Sequence, residues 1–348
     1  MLLRDNSYNF REMRMKTLYA FVFILLAVPL LYGQPTNGPV YWSTTQPDCS
    51  SLGESPVPVK NAAGTTLGYS CYVSGTFLWL AAGGGWGTSI RVAAPASAPV
   101  GVDYTFYDPS GNKLSLDSTM NNASSSFASG NQVAFALNAD QPSEVELLGG
   151  TGNGTGYSST TTGSVYGVFY CPDAATCNNV LPQLIYSALP AQPWSVSVPI
   201  SFDGGEWTQW SAVGINGSGQ SVALAIYNAD ATANTYQISV FDSSGNLVGS
   251  GTTASIPPRP NLGNNTYGQG GTYGVFLSQI VPGLPQGVLK VVVDGGSYYS
   301  VVEVLQFNGP SATALQVAYD SPPPAHAKAV FAGSNGNRPR LRAFSNAQ

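Results

Sequence analysis

Histidine is nearly absent from these 348 residues: His326 is the only one, and it sits in the run Pro322-Pro323-Pro324-Ala325-His326, where no apolar pattern supplies a core to orient it. That shortage removes the base from Ser-His-Asp and Cys-His arrangements and leaves no three-His or two-His-plus-Glu set for zinc. Charge is scarce too. Asp, Glu, Lys and Arg make up 9% of the chain, against roughly 25% in an average protein. Cations are the scarcest: between Gln34 and Asp320, Lys60, Arg91, Lys113, Arg259 and Lys290 stand against sixteen acids, a net of −11. A phosphate backbone demands a basic face, so nucleic acid is excluded as a partner. The four cysteines include no Cys-x-x-Cys spacing, so metal ligation is not indicated and no cofactor is implied.

What is abundant favours strands and turns. The chain has 40 Gly, 25 Pro and 19 Tyr beside plentiful Ser, Thr, Asn and Val. β-Branched and aromatic side chains suit a pleated surface, and Gly, Asn and Pro shape its turns. Length and a hydrophobic content of 43% set two domains as the expectation.

Phe106-Tyr107-Asp108-Pro109-Ser110-Gly111-Asn112 recurs as Val240-Phe241-Asp242-Ser243-Ser244-Gly245-Asn246, 134 positions later. The same offset pairs Ile90 with Leu224, Val92 with Ile226, Val102 with Tyr236, Tyr104 with Ile238 and Phe106 with Val240, without a gap. Asp-x-Ser-Gly-Asn suits a tight hairpin turn, the carboxylate accepting backbone N–H groups and Gly taking positive φ. Turn stabilisation is preferred to calcium ligation for Asp108 and Asp242, because the distal Glu and alternate acids of a calcium loop are missing. The second unit is expected to open at Trp194–Ile200 as the counterpart of the strand from Cys71. Two further blocks set Val133–Leu137 beside Tyr273–Leu277 and Val165–Phe169 beside Val301–Leu305, with Trp210 to Gln220 as an extra segment. About seven short strands per unit is the pattern of a β-sandwich.

The N-terminus reads as an export signal. Arg11, Arg14 and Lys16 precede an apolar run from Leu18 to Leu31, with cleavage placed after Gly33 and Met15 a better start than Met1. The run is too short to span a bilayer, which needs about 20 residues. The domain expectation is a signal peptide over 1–33, with 1–14 an over-extended start, an irregular lead-in over 34–70, sandwiches over 71–189 and 190–320, and a basic tail over 321–348. In an oxidising compartment four cysteines imply two disulfides. Of the three possible pairings the local one is preferred, Cys49 with Cys71 and Cys171 with Cys177.

The region from about 72 to 320 resembles secreted bacterial proteins built from tandem immunoglobulin-like β-sandwiches. The residues that carry the resemblance are Ala82-Gly83-Gly84-Gly85-Trp86, the two turn motifs, and Val275-Phe276-Leu277-Ser278. It implies an all-β fold and a secreted address, extracellular or periplasmic, and no catalytic residue. The functional expectation is a non-catalytic role in adhesion, surface structure or ligand display, with polysaccharide or a surface protein as partner. Two alternatives stand beside it. A carbohydrate-binding module would use exposed aromatics, with Trp210, Trp207 and Tyr267 the candidates, although core capping is the competing reading for Trp86 and Trp207. A glycosidase would use a carboxyl pair, for which Glu144 and Glu146 lie two apart on one strand face.

Overall fold

Alternating apolar residues build this chain, and their register decides which sheet each strand joins. The computed structural model describes residues 41–61, 63–121, 126–150, 159–180, 182–188, 195–199, 209–259, 270–295, 300–309, 311–315 and 317–319. The expected signal peptide, the basic tail, Trp207 and Tyr267 lie outside these. The first strands are β1 (Val57–Lys60), β2 (Thr66–Ala82), β3 (Trp86–Ala93), β4 (Val100–Tyr107), β5 (Leu116–Asn121), β6 (Ser126–Gly130), β7 (Gln132–Leu137), β8 (Pro142–Gly149), β9 (Thr161–Cys171), β10 (Gln183–Ala188) and β11 (Ser195–Pro199). Then come β12 (Gln209–Asn216), β13 (Gln220–Asn228), β14 (Tyr236–Phe241), β15 (Leu247–Thr252), β16 (Thr272–Phe276), β17 (Gly287–Gly295), β18 (Ser300–Asn308), β19 (Ser311–Leu315) and β20 (Ala318–Tyr319).

These strands form four antiparallel sheets. Sheet 1 runs β1-β2-β9-β4-β7, sheet 2 β11-β10-β3-β8-β5-β6, sheet 3 β15-β14-β17-β12-β20 and sheet 4 β16-β13-β18-β19. Sheets 1 and 2 enclose one core that includes Phe77, Ile90, Tyr104, Phe106, Val145, Val165, Phe169 and Leu184. Sheets 3 and 4 enclose another, with Trp210, Leu224, Ile226, Tyr236, Ile238, Val240, Val291 and Val304. Every alternating apolar pair at the 134-residue offset is buried, from Ile90 and Leu224 to Phe106 and Val240.

The two sheet pairs share a strand order. β2-β9-β4 corresponds to β12-β17-β14, and β11-β10-β3-β8 corresponds to β19-β18-β13-β16. Four alignments expected from sequence change as a result. Val133–Leu137 does not correspond to Tyr273–Leu277: β7 borders β4 in sheet 1, whereas β16 borders β13 in sheet 4 and answers to β8. Ser195–Pro199 does not open the second group: it pairs with β10, from Gln183↔Pro199 to Ser187↔Ser195, and so joins sheet 2. The counterpart of β2 is β12, so the segment from Trp210 is a shared position of the strand order and not an insertion. Val301–Leu305 lies on β18, which answers to β10, while the counterpart of β9 is β17.

The flanking strands also depart from the expected immunoglobulin order, in which the first strand shares a sheet with the second and fifth, and the last with the third and sixth. Here β2 borders β9 and β10 borders β3. First and last strands have exchanged sheets, while the central pairs β3·β8 and β4·β9 keep the expected partners.

The repeated turn is alike in both places. Asp108 Oδ1 accepts the N–H groups of Ser110 and Asn112 at 2.9 Å each, and Asp242 Oδ1 accepts those of Ser244 and Asn246 at 2.9 Å each. Gly111 and Gly245 have φ of 83° and 82°, the left-handed region that a side chain disfavours. Beyond the turns the two paths diverge. After Asp242 the chain returns as β15 on β14, a true hairpin. After Asp108 it crosses to sheet 2 as β5, which pairs with β8. The apolar content explains the difference: Leu116 enters the first core fully buried, whereas Leu247 is 58% exposed.

Candidate functional site

Trp210 is the leading sequence candidate for stacking on a sugar, and the structure removes it. It is 0% exposed in the second core, with its ring centroid 6.3 Å from that of Tyr236. A ring held there offers no face to a ligand. Its parity with Ala212 and Gly214 on β12 is the available signal, and reading the stretch as an insertion obscures it.

The aromatic surface lies instead on the outer face of sheet 1. Side chains alternate across a strand, so Tyr104 and Phe106 point into the core while Tyr107 points out. On β9 the inward set is Val165 and Phe169, which leaves Tyr166, Val168 and Tyr170 outward and half-buried. Tyr170 stands opposite Tyr72 of β2 on one side and Gly101 of β4 on the other. Tyr166 stands between Thr76 and Thr105, with Tyr107 on the diagonal, one rung beyond, opposite Ser164. Four residues of strand separate Tyr166 from Tyr170, about 13 Å. The face therefore carries two tyrosine pairs with Ser74, Val168 and Asp103 on the rung between them.

A polar fringe surrounds these rings. Tyr72 donates through its hydroxyl to Glu54 Oε2 at 2.8 Å. Asp103, buried on β4 between the pairs, accepts from Gln132 Nε2 on both oxygens, at 2.7 and 2.8 Å. Burial raises the Asp103 carboxyl above its ordinary value, against the opposing pull of Gln132 and Lys113. Burial likewise pushes the Tyr107 phenol up to about 12, helped by Tyr166 and Asp103 and opposed by Arg259. Tyr72 is raised first by burial and then by Glu54. Both phenols are hydroxyl donors at neutral pH.

One end of the face is stapled. Cys71 and Cys171 are cross-strand neighbours, yet each bonds away from the other: Cys49–Cys71 spans 22 residues and Cys171–Cys177 spans 6. The local pairing expected from spacing is the one found. Asp173 caps the short helix Ala174–Asn178 that carries Cys177, accepting the Thr176 N–H at 2.7 Å. The staples thus fix the backbone beside Tyr72 and Tyr170, and they mark an oxidising compartment.

A second polar feature lies where the two sheet pairs meet. β2 bulges between Phe77 and Leu80, so that Leu78 and Trp79 leave the ladder toward sheet 4. Leu78 is buried with Ala225 and Tyr227, and Trp79 packs beside them. Gly274 makes room: a Cβ there would lie 2.5 Å from Trp79 Cε2. The Trp79 carbonyl, freed by the bulge, accepts from the Tyr186 hydroxyl. Glu303 on β18 stands opposite Ala225 in this seam. The residue as a whole keeps some exposure, but its Oε1 is shielded and has no hydrogen-bond partner. That local environment governs its titration, and burial pushes the carboxyl up to about 8. No sequence signal distinguishes Glu303, because a lone acid in an alternating strand reads as solvent-facing.

Glu144 and Glu146 do share an outer strand face, as the spacing indicates. Glu144 meets Arg91 at 3.1 Å, and Glu146 accepts from Thr119 Oγ1 at 3.3 Å. They are neighbours on one strand with cross-strand partners of their own, not acids facing each other across a cleft. Among the described residues no three His, Cys, Asp or Glu side chains gather as metal ligands, and no helix is long and apolar enough to cross a membrane.

No protein-family profile matches the chain, and no curated protein matches it. Among solved structures it is similar to a biofilm associated protein BSP domain at 8% identity, covering 83% of this chain and 61% of that one, with a TM-score of 0.19. A biofilm associated protein B domain matches at 8% identity over 83% of this chain and 89% of that one, with a TM-score of 0.18. The chain spans less than two thirds of the BSP-domain structure, and likenesses this slight carry no argument.

Proposed function

We propose that this is an exported, non-catalytic β-protein that acts in adhesion, surface structure or ligand display. In this reading it consists of two tandem β-sandwiches, immunoglobulin-like in their central strand pairs, which come after a cleaved signal peptide and precede a basic tail. The observation that carries the proposal is the outer face of sheet 1: four half-buried tyrosines, three of them on the two strands that the disulfides pin. Tyrosine supplies a large, rigid, amphipathic contact area at low entropic cost, which suits a surface that holds a partner.

The test is retention. Beads coated with the chain from Gln34 onward are passed over cells of the producing organism and over a bare surface, beside albumin-coated beads. Retention well above the albumin level is expected, without release of reducing sugar from polysaccharides. Retention no greater than albumin would sink the proposal, and steady sugar release would replace it with an enzyme.

A further inference from the structure

We infer that the outer face of sheet 1 is a binding platform for an extended neutral polysaccharide, with Tyr72, Tyr107, Tyr166 and Tyr170 as its stacking rings. The inference rests on the proposed display role and names its ligand. A pyranose ring has apolar C–H faces and a girdle of hydroxyls, and a surface that takes it must offer both an aromatic plane and hydrogen-bonding groups beside it. Sheet 1 offers both. The four rings supply the planes, and Glu54 and Gln132 supply polar groups at the edge of the same face, Gln132 being held by the buried Asp103.

The spacing selects a polymer over a free sugar. The Tyr72/Tyr170 pair and the Tyr166/Tyr107 pair are about 13 Å apart along β9, so they meet different units of one chain lying along the strands. On the rung between them stand Ser74, Val168 and the buried Asp103, with Thr76 and Gly101 beside the rings. Charge selects the kind of polymer. At the rings themselves Glu54 and Asp103 are set against Lys113 and Arg259, while the chain from Gln34 to Asp320 as a whole carries a net of −11. An acidic polysaccharide would be repelled, whereas a neutral one meets hydroxyl-binding groups without a charge penalty. The disulfides add preorganisation, since Tyr72 and Tyr170 directly follow or precede Cys71 and Cys171 on the backbone, and rings already held lose little freedom on binding.

The test is affinity electrophoresis of the folded chain through gels containing hydroxyethyl cellulose, soluble xylan or laminarin, with polygalacturonate as the acidic comparison. At least one neutral glycan should retard the protein while polygalacturonate does not. Tyr166→Ala and Tyr170→Ala should each weaken that retardation about tenfold, and Tyr166→Phe and Tyr170→Phe should retain most of it because the ring plane survives. Acetylation of tyrosines in the native protein, mapped by mass spectrometry, provides a readout that needs no variant: the retarding glycan should protect Tyr166 and Tyr170. The inference is overturned if no neutral glycan retards the native chain, if polygalacturonate retards it equally, or if neither substitution nor acetylation maps binding to these rings. Bead retention without glycan retardation would leave the display role standing and remove only this ligand.

Discussion

Replacing Glu303 with Gln should make the protein more stable in alkali while changing little in acid. The folded carboxyl titrates near 8 and the same group in an unfolded chain near 4.5. Between these values the folded state binds more protons than the unfolded state, so each unit of rising pH favours unfolding. The stability attached to this site is therefore complete below about pH 4.5 and lost as the pH passes through 8. At about 1.36 kcal/mol per pH unit, the loss between those limits is about 5 kcal/mol. Gln keeps the shape and never ionises. The assay is urea unfolding of both proteins at pH 5, 7 and 9, followed by tryptophan emission. Near pH 5 the two should agree within about 1 kcal/mol, and at pH 9 the Glu303→Gln protein should be the more stable by about 3–5 kcal/mol. The Asp103 carboxyl is also raised, in the same direction, but it is present in both proteins and cancels in the difference. Because the carboxyl lies near Tyr186, whose hydroxyl holds the Trp79 carbonyl, ionisation should also loosen that seam and shift Trp79 emission to the red before either core unfolds. Parallel stability profiles for the two proteins from pH 5 to 9 would refute the reasoning.

The same geometry sets three further outcomes. Trp210→Ala should cost about 3–5 kcal/mol in urea unfolding, because the ring is fully buried, and the folded fraction should keep its surface binding unchanged. Removing Cys49 and Cys71 together should cost about 3 kcal/mol for a separation of 22 residues, and removing Cys171 and Cys177 about 2 kcal/mol for a separation of 6, both read as shifts in unfolding midpoint. Gly274→Ala would place a Cβ 2.5 Å from the Trp79 ring, so it should cost about 1–3 kcal/mol and raise quenching of Trp79 while the second core stays folded.

Core parity and turn chemistry are legible in the chain because both are local. Ile90, Val92, Val102, Tyr104 and Phe106 alternate, and so do their partners 134 residues on; burial of one member fixes the parity of the rest. Asp108 and Asp242 bond within their own turns. Cys171 and Cys177 are close in sequence, and their bond reflects that closeness. Pairing partners are not legible, because they are non-local. Ser195–Pro199 has the same alternation whether it joins β10 or begins a new sheet, and only the register with Gln183–Ala188 decides. The exchanged places of β2 and β10 leave no trace in either strand's pattern. The tyrosine face is hidden for a related reason: alternation shows that Tyr166 and Tyr170 point away from the first core, but not whether another layer covers them.

The outer faces of the two sheet pairs differ in a way that shows where this chain can specialise. The shared strand order holds Tyr104, Phe106, Ile238 and Val240 inside, since any change there leaves a cavity or a clash. Outer positions that no other layer covers are freer. Where sheet 1 presents Tyr107, its counterpart in sheet 3 is Phe241. Where β2 and β9 present tyrosines, β12 and β17 present Val213, Ile215 and Val288, exposed by 59%, 39% and 47%. Sheet 4 presents Ala223, Ala225, Glu303 and Leu305, small or apolar apart from one acid, and it is this face that closes against Leu78 and Trp79. One strand order thus supports an aromatic face, a face that mixes exposed aliphatics with Lys290 and Asp294, and a seam. The residues that tell them apart occupy the parity that the repeat leaves free, so function should be sought in the outward residues of the strands as well as in the turns that join them.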